Sequence, residues 1–481
     1  MQNIQNKVFV NLLWRLAERC SVQVIAFVIS LVLARLLEPS EYGTVAIVSA
    51  IVTIMSVFVD SGLGNALIQK KDADDRDFST VFIANIFFCI IIYGLLFFVA
   101  PFIASFYNDP AICALVRVSG IMILIAGVKN IQHAYVSRNM LFKRFFWSTF
   151  LGTIISAVVG IYLAMHGYGA WALVFQGLTN NMIDTIVLWI TVKWRPKRIF
   201  DTGRFIQLFA YGWRLLVSRL LDSIYNNMYQ FIIGKVYTSS DLSFYNKGKQ
   251  LPVLVIDNVN ASIYSVLFPA MYDVQDEKAR VKMITKRAIK YSVYVVAPLL
   301  VGMAVTAEQF IRLLITDKWL PCIPYLRIFC LTFIFWTIHT ANLNAIKAMG
   351  RSDIFLKLEI YKKIADILVL LVSMRYGALA MAVGFSVSSF ISQVINAWPN
   401  KKLIGYGFFE QMKDILQTLL IAGIMGVVVY PIAYLGWSDI ITLLVQVLVG
   451  ATVYIGISAL LKENEFLYIL DLVRNTIMKR K

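Results

Sequence analysis

The chain has 481 residues, of which 59% are hydrophobic and only 15% are charged, whereas about 25% of the residues in soluble domains are charged. This composition excludes an ordinary soluble protein. The formal net charge of +17 would suggest nucleic acid as a partner of a soluble protein. Here the basic residues lie in short loops between apolar segments, without interleaved aromatics, so nucleic acid is not an expected partner.

Fourteen apolar stretches follow one another along the chain, and most are about 20 residues long. A helix of that length matches a hydrocarbon core of about 30 Å, so the sequence predicts an all-α polytopic membrane protein with about 14 transmembrane helices. The predicted spans are 12–37, 42–63, 80–106, 112–136, 146–166, 169–192, 212–236, 250–270, 288–314, 322–346, 358–375, 377–397, 415–435 and 439–461.

The positions of lysine and arginine indicate the orientation of these spans. With this topology 32 of the 45 basic residues fall on one side of the membrane and 9 on the other. Because cytoplasmic loops carry the excess of positive charge, both termini are predicted to be cytoplasmic. The segment from Glu463 to Lys481 has apolar residues at helical spacing and a basic end, and is predicted to lie along the cytoplasmic surface.

The sequence repeats weakly at an offset of roughly 200 residues. The run Trp14-Arg15-Leu16 returns as Trp213-Arg214-Leu215, and Tyr168-Gly169-Ala170 returns as Tyr376-Gly377-Ala378. Six helices per repeat predict a parallel pair of lobes around a central cavity. The predicted domains are a first lobe at 1–202, a second lobe at 203–404, and two extra helices with a basic tail at 405–481.

Residues for catalysis or metal binding are hard to find. The three histidines are far apart in sequence and no GxxxxGK[ST] phosphate loop occurs. The longest connection on the outer face has only about a dozen residues, too few for an extramembrane catalytic domain. We therefore expect no catalytic residue, no metal site and no cofactor, and the protein is not expected to be an enzyme.

Charged and amide residues inside the apolar spans are the main functional signal, because such groups are costly in lipid and usually face a bundle interior or a wet cavity. Arg15, Glu18 and Arg19 share a face of the first helix, and Arg219, Asp222 and Asn226 form a stripe on the seventh. Asp257 and Asn260 form a similar stripe on the eighth predicted helix. Further polar positions are Asp60, Lys129, Asn130, Gln176, Asn180, Asn181, Asp184, Asn342, Asn344 and Gln393.

Each of these positions has a second interpretation. Arg15 and Arg214 lie near helix starts, so they can extend to the cytoplasmic headgroups. Arg19 and Arg219 lie deeper and point to a cavity, or to structural ion pairs with Glu18 and Asp222. Two or more guanidinium groups in a cavity suit a diphosphate, because each is a planar fork of donors. The amides can simply form interhelical hydrogen bonds.

Four motifs, in order, carry a family resemblance: Pro39-Ser40-Glu41-Tyr42-Gly43, the run from Asp60 to Gln69 (DSGLGNALIQ), Gly169-Ala170-Trp171-Ala172-Leu173-Val174, and Leu267-Phe268-Pro269-Ala270. With them the sequence resembles bacterial polysaccharide transporters of the Wzx type, in the multidrug/oligosaccharidyl-lipid/polysaccharide exporter superfamily. The resemblance covers residues 10 to about 400.

The resemblance implies flipping of undecaprenyl-diphosphate-linked oligosaccharide across the bacterial inner membrane, for assembly of exopolysaccharide, capsule or O-antigen. It also implies a cavity lined by helices one, two, seven and eight. By helix position, the diphosphate ligands would be Arg15, Arg19, Arg214 and Arg219. The polar and counter-charged residues would be Glu18, Asp60, Asp222, Asn226, Asp257 and Asn260. Expected partners are the lipid-linked glycan, membrane lipids, and a polysaccharide polymerase with other assembly proteins.

Two other functions fit parts of the pattern. A drug/cation antiporter of the same superfamily should have a cavity dominated by carboxylates, whereas basic residues predominate in the first helix here. A non-transporting scaffold has no use for polar stripes on inner helices. The transport mechanism expected from two lobes is alternating access by rocking. In that mechanism the outward turns at 38–43 and 237–246 approach each other when the protein faces the cytoplasm.

Overall fold

The structure is a computed structural model that describes residue 14 and residues 21–60, 63–70, 72–468 and 470–471. In this part of the chain every regular element is a helix. The helices form two compact units, Met1–Ser243 and Phe244–Lys481. Each unit is described in turn.

Nine helices belong to the first unit, and we number them in chain order. They are α1 (Ser21–Leu36), α2 (Pro39–Asp60), α3 (Leu63–Gln69), α4 (Asp75–Tyr107), α5 (Ala111–Ser119), α6 (Ile121–Arg138), α7 (Phe142–Met165), α8 (Ala170–Thr191) and α9 (Thr202–Val236). Helix α8 packs along α7 and also contacts α6, α2 and α5. Helix α9 packs against α2, α3 and α4.

Helix α10 (Ser239–Tyr272) begins in the first unit and continues into the second. The second unit then contains α11 (Lys278–Val305), α12 (Ala307–Ile315), α13 (Ile323–Phe333), α14 (Trp336–Ala348), α15 (Ser352–Ser373), α16 (Ala378–Leu403), α17 (Phe408–Val429) and α18 (Asp439–Leu460). Short 3₁₀ turns at Asp317–Cys322 and Tyr430–Tyr434 precede α13 and follow α17.

Where the structure describes them, the predicted spans fall on one helix or on two consecutive helices. Nine helical segments in the described ranges are long and apolar enough to cross a membrane, judged by length and composition. Helices α8, α9, α10 and α15 are at least 22 residues long but are not among those nine. The two helices with the predicted polar stripes, α9 and α10, are in this group. The number of fourteen spans stays a prediction.

The repeat seen in the sequence has a structural counterpart. A two-residue link joins α1 to α2, from Leu36 to Pro39, and a link of equal length joins α9 to α10, from Val236 to Ser239. Helices α8 and α16 both start directly after a glycine with positive φ, at Gly169 (φ 55°) and Gly377 (φ 107°). Side chains other than glycine rarely adopt these angles, which explains why the Tyr-Gly-Ala run returns.

The predicted boundary between the lobes differs from the division into units. The prediction starts the second lobe at residue 203, whereas the first unit extends to Ser243 and includes α9. The difference arises because α9 packs against three helices of the first unit. The predicted domain bounds concern evolutionary repeats rather than packing, and they stay a prediction.

A charged network fixes the start of α9 within the first unit. The Asp201 side chain accepts a hydrogen bond from the Arg204 backbone N–H and caps the helix. The Arg204 guanidinium pairs with Asp74 and, at 3.3 Å, with Asp77, which Lys70 also contacts at 2.7 Å. The hydrogen bond from the Asp77 backbone and the nearby Arg204 lower the pKa of Asp74. These contacts tie the loop before α4 to the first turn of α9.

A buried amide network stabilises one end of the second unit. The side chains of Asn342 on α14 and Gln411 on α17 exchange two hydrogen bonds, of 2.9 and 2.8 Å, and Asn400 on α16 donates to Asn342 Oδ1 at 2.8 Å. All three residues are fully buried. Sequence analysis listed Asn342 among the polar positions, and here the interhelical hydrogen-bond interpretation is confirmed.

The chain after α18 docks onto α11. Residues 464–468 are helical, Glu465 Oε1 lies 2.7 Å from Lys290 Nζ, and the Tyr468 ring stacks on Tyr291 with 4.8 Å between centroids. Glu463 is also buried, next to Glu465. Burial and the neighbouring Glu465 raise the pKa of Glu463 to about 7. The predicted amphipathic tail therefore begins as a segment held to α11 by charge, and its end lies outside the described residues.

We expect docking of this segment to weaken as the pH rises from 5 to 8. A carboxyl group with a raised pKa in the docked form binds its proton more tightly there than in the free form. Stability is therefore lost as the pH rises from the free value toward about 7. A spin label at the exposed Asn464, in a variant without native cysteines, should report a mobile fraction that grows about tenfold or more. Glu463→Gln should remove this dependence, and an unchanged pH dependence in that variant would contradict the assignment.

Candidate substrate-binding site

The predicted polar stripe on α9 is present on one continuous helix. Arg219, Asp222 and Asn226 are all exposed within the first unit. At 100° per residue they lie within about 60° of one another around the helix axis and span two turns, about 10 Å. The Arg219 guanidinium forms no ion pair or hydrogen bond with the described residues of the chain. The alternative of a structural Arg219–Asp222 ion pair is therefore not what the structure has.

The opposite face of α9 is apolar and also exposed. Val217, Leu221 and Ile224 are 41%, 61% and 44% exposed, and helical geometry places them on the side opposite the polar stripe. In a membrane, such a face suits lipid or packed side chains, whereas the Arg219 guanidinium on the polar stripe requires water or a polar ligand. One face of helix α9 thus suits an apolar environment, and the opposite face suits a polar one.

Arg214 does not share this stripe. It lies five residues before Arg219, which rotates it about 140° around the axis. Its guanidinium carbon is 5.8 Å from the centroid of the Trp213 ring, at the distance of a cation–π contact. This geometry favours the interpretation in which Arg214 extends toward headgroups. Its assignment as a diphosphate ligand stays a prediction.

The polar positions on α10 lie in the second unit. Asp257 is exposed and Asn260 is half-buried, with an Oδ1 atom that has no hydrogen-bond partner among the described residues. The neighbouring Asn258 side chain donates to the Leu254 carbonyl at 2.8 Å. Asp257 and Asn260 therefore keep the free acceptors that the predicted site requires.

Four predicted site residues are not described. Arg15, Glu18 and Arg19 lie outside the described ranges, as does the side chain of Asp60. Their predicted roles stay predictions.

A polar cluster in the first unit was only partly recognised from the sequence. Lys129 Nζ on α6 lies 2.9 Å from Asn181 Oδ1 and 3.1 Å from Asp184 Oδ2, both on α8. His133, one turn further along α6, has its Nε2 atom 3.9 Å from Asp184 Oδ2. Sequence analysis named Lys129, Asn181 and Asp184 as polar positions and left His133 out. The i, i+4 spacing of Lys129 and His133 was the available signal.

The two turns that are predicted to face outward meet within the first unit. A Cβ atom on Gly43 would lie 1.7 Å from the Ser239 carbonyl oxygen, so only glycine permits this approach of α2 and the start of α10. The Thr44 hydroxyl lies 3.5 Å from Ser239 Oγ and 3.4 Å from Asp109 Oδ2. Asp109 is held in place because its Oδ1 accepts from the Ala111 N–H at 3.0 Å.

The helices and their polar stripes define a multi-pass membrane transporter. Residues 32–324 match the family described as polysaccharide biosynthesis protein, and the chain belongs to that family. It is similar to the teichuronic acid biosynthesis protein TuaB of Bacillus subtilis, with 24% identity over 90% of each chain. It is also similar to the succinoglycan biosynthesis transport protein ExoT of Rhizobium meliloti (20% identity; 96% and 95% coverage) and the lipopolysaccharide biosynthesis protein WzxC of Escherichia coli (20%; 82% and 83%).

Solved structures identify the fold. An inward closed conformation of the lipid II flippase MurJ matches with a TM-score of 0.77 at 14% identity, covering 94% of this chain and 99% of that one. An inward-facing MATE family transporter of the MOP superfamily matches with a TM-score of 0.61 at 13% identity, covering 80% and 94%. The predicted all-α transporter fold and the resemblance to Wzx-type polysaccharide transporters are confirmed.

The two faces of α9 should differ in water access. We expect Asn226→Cys to react with a membrane-impermeant thiol reagent and Ile224→Cys to react at least about tenfold more slowly, because thiols ionise and react in water but not in hydrocarbon. The five native cysteines would be replaced first, and labelling would be measured in intact spheroplasts and in inverted vesicles. Equal rates at both positions from both sides would contradict the assignment of faces.

Proposed function

We propose that this protein flips a lipid-linked oligosaccharide, joined to its polyprenyl carrier through a diphosphate, from the cytoplasmic to the outer leaflet of the bacterial inner membrane. Both termini would be cytoplasmic. The observation that carries the proposal is the Arg219 guanidinium, which has no protein partner in the described part of the chain and lies on the polar stripe of α9. Such a group in a membrane span requires a polar ligand or water, and a diphosphate matches its fork of donors.

The names of the relatives support a glycan rather than a drug or simple cation as the substrate. TuaB, ExoT and WzxC are named for teichuronic acid, succinoglycan and lipopolysaccharide, and MurJ is named as a lipid II flippase. These names support transport rather than catalysis for this chain, with undecaprenyl diphosphate as the proposed carrier. A polymerase and other assembly proteins are its proposed partners. A drug/cation antiporter is the second candidate, because MATE transporters share the fold.

Alternating access is the proposed mechanism, since a glycan crosses the hydrocarbon only if a polar path opens to one leaflet at a time. In the proposed orientation the contact of Gly43 and Thr44 with Ser239 lies on the outer side. It consists of one close backbone approach at Gly43 and one long hydroxyl contact between Thr44 and Ser239. It would close the outer side and separate when the substrate leaves.

Arg219 should be required for export. We expect Arg219→Ala to reduce glycan export at least about tenfold, because a lost charge-assisted bidentate contact corresponds to about 1.5–3 kcal/mol. Arg219→Lys should retain part of the activity, since the charge remains but the fork is lost. Export would be measured by complementation of a flippase-null strain at matched expression. Arg280→Ala, which removes a surface pair with Glu277, is the control. Full activity of Arg219→Ala would refute the role.

Cysteines at Thr44 and Ser239 should trap the closed outer side. The two side-chain oxygens are 3.5 Å apart, close enough for a disulfide after small adjustments. In a variant without native cysteines, Thr44→Cys with Ser239→Cys should crosslink under oxidation, stop export, and recover on reduction. Gly43→Ala should lower the crosslinking yield, because its methyl group would overlap the Ser239 carbonyl. Export at an undiminished rate by fully crosslinked protein would refute this closure.

A further inference from the structure

The cluster of Lys129, His133 and Asp184 is the clearest charged group inside the helices that the proposed substrate site does not use. The side chains of Lys129 and Asp184 are 18% and 6% exposed, so their ion pair is largely removed from solvent. Such a pair is retained at a cost in desolvation. Two atoms of the cluster, His133 Nε2 and Asp184 Oδ1, are buried and have no hydrogen-bond partner among the described residues.

The position that a metal cation would take is already filled. The Lys129 ammonium group lies between Asn181 Oδ1 at 2.9 Å and Asp184 Oδ2 at 3.1 Å, and these are the oxygens that Na⁺ would need. A second cation there would be repelled by the ammonium group. The cluster can bind a proton instead, because His133 Nε2 faces the Asp184 carboxylate at 3.9 Å and has no other partner among the described residues.

Within the described ranges the imidazole contacts groups on two neighbouring helices. Helix α7 contributes the Phe145 ring, 4.7 Å away between centroids, and α8 contributes Asp184. Several polar and charged groups on α6 and on the helices packed against it have partners of their own. Asn85 of α4 donates to the Gly127 carbonyl, the Val59 carbonyl of α2 accepts from Asn130, the α5 residue Arg117 lies over Phe97, and Arg138 donates to the carbonyls of Leu67 and Lys70.

We propose that Lys129, His133 and Asp184 form a proton-binding site, in which His133 accepts a proton on Nε2 and then pairs with the Asp184 carboxylate. The His133 side chain is 37% exposed, which leaves one edge of the ring open to exchange. Binding of the proton changes the cluster from neutral, with one ammonium and one carboxylate, to a net charge of +1. Because charge inside a membrane is costly, this change alters the balance between conformations of the first unit. A proton gradient can act on transport through it.

The test uses the whole protein in lipid bilayers with isotope-labelled histidine. The chain has only three histidines, so His133→Gln identifies the His133 signal by its loss, and His166→Gln is the matched control. Nitrogen NMR spectra recorded from about pH 8 down to about pH 5.5 should show proton binding at His133 Nε2. Asp184→Asn should move this change at least about one pH unit lower, and Lys129→Gln should move it higher.

The NMR results can overturn the proton-binding site in two ways. His133 signals that do not change over this range, or that change identically in the wild type, Asp184→Asn and Lys129→Gln, would overturn the site. A shift of the His133 signal on addition of Na⁺ at constant pH would show that a metal cation competes with Lys129 and would overturn the choice of ligand. The His339 signal, from a residue bonded to Asn396 in the other unit, reports whether each variant is folded. The spectrum is recorded without glycan, so the test of the proton-binding site is independent of the proposed substrate.

Discussion

Hydrocarbon does not solvate charge, and this constraint determines where each ionisable residue of the protein lies. A charged side chain inside a span must pair with another group or face water. Lys129 and Asp184 pair with each other across α6 and α8. Arg219 has no such partner within the described ranges and instead lies on a face with Asp222 and Asn226. The two arrangements have different consequences, because a satisfied pair holds helices together, whereas an unsatisfied guanidinium attracts a ligand. The charges in α6 and α8 are therefore balanced within the protein, whereas the guanidinium on α9 is the proposed ligand-binding group.

The helix that carries the candidate site is also the one that is fixed most firmly at its start. Arg204 joins Asp74 and Asp77, and Asp201 caps the helix. Further along, α9 exposes Val217, Leu221 and Ile224 on one side and the polar stripe on the other. This combination explains why α9 is absent from the nine clearly apolar segments. A fixed first turn followed by a sparsely packed amphipathic stretch suits a helix that lines a path for a polar substrate.

The helices were predictable from the sequence because their lengths and apolar composition follow from the thickness of the hydrocarbon. The start of α8 and α16 was predictable too, since Gly169 and Gly377 supply positive φ angles. The pairing of Lys129 with Asp184 was not, because these residues are 55 positions apart and only tertiary packing brings them together. Arg214 is a different case. Its spacing of five from Arg219 already separates the two around a helix, and sequence analysis grouped them by span rather than by angle.

The chemistry of the contacts in the first unit distinguishes a permanent junction from a reversible one. The junction at Arg204 consists of several charge-assisted hydrogen bonds, which are among the stronger protein contacts. The junction at Ser239 consists of its carbonyl over Gly43 and a hydroxyl contact of 3.5 Å with Thr44, whose hydroxyl also lies 3.4 Å from Asp109 Oδ2. A single hydroxyl hydrogen cannot be donated to both of its neighbours at once, and bonds of this length are weak. Surfaces that fit closely but form no strong bonds can separate and meet again at little cost in free energy. Of the two junctions, therefore, only the one at Ser239 is suited to open in the proposed transport cycle, while the one at Arg204 is suited to hold α9 in place.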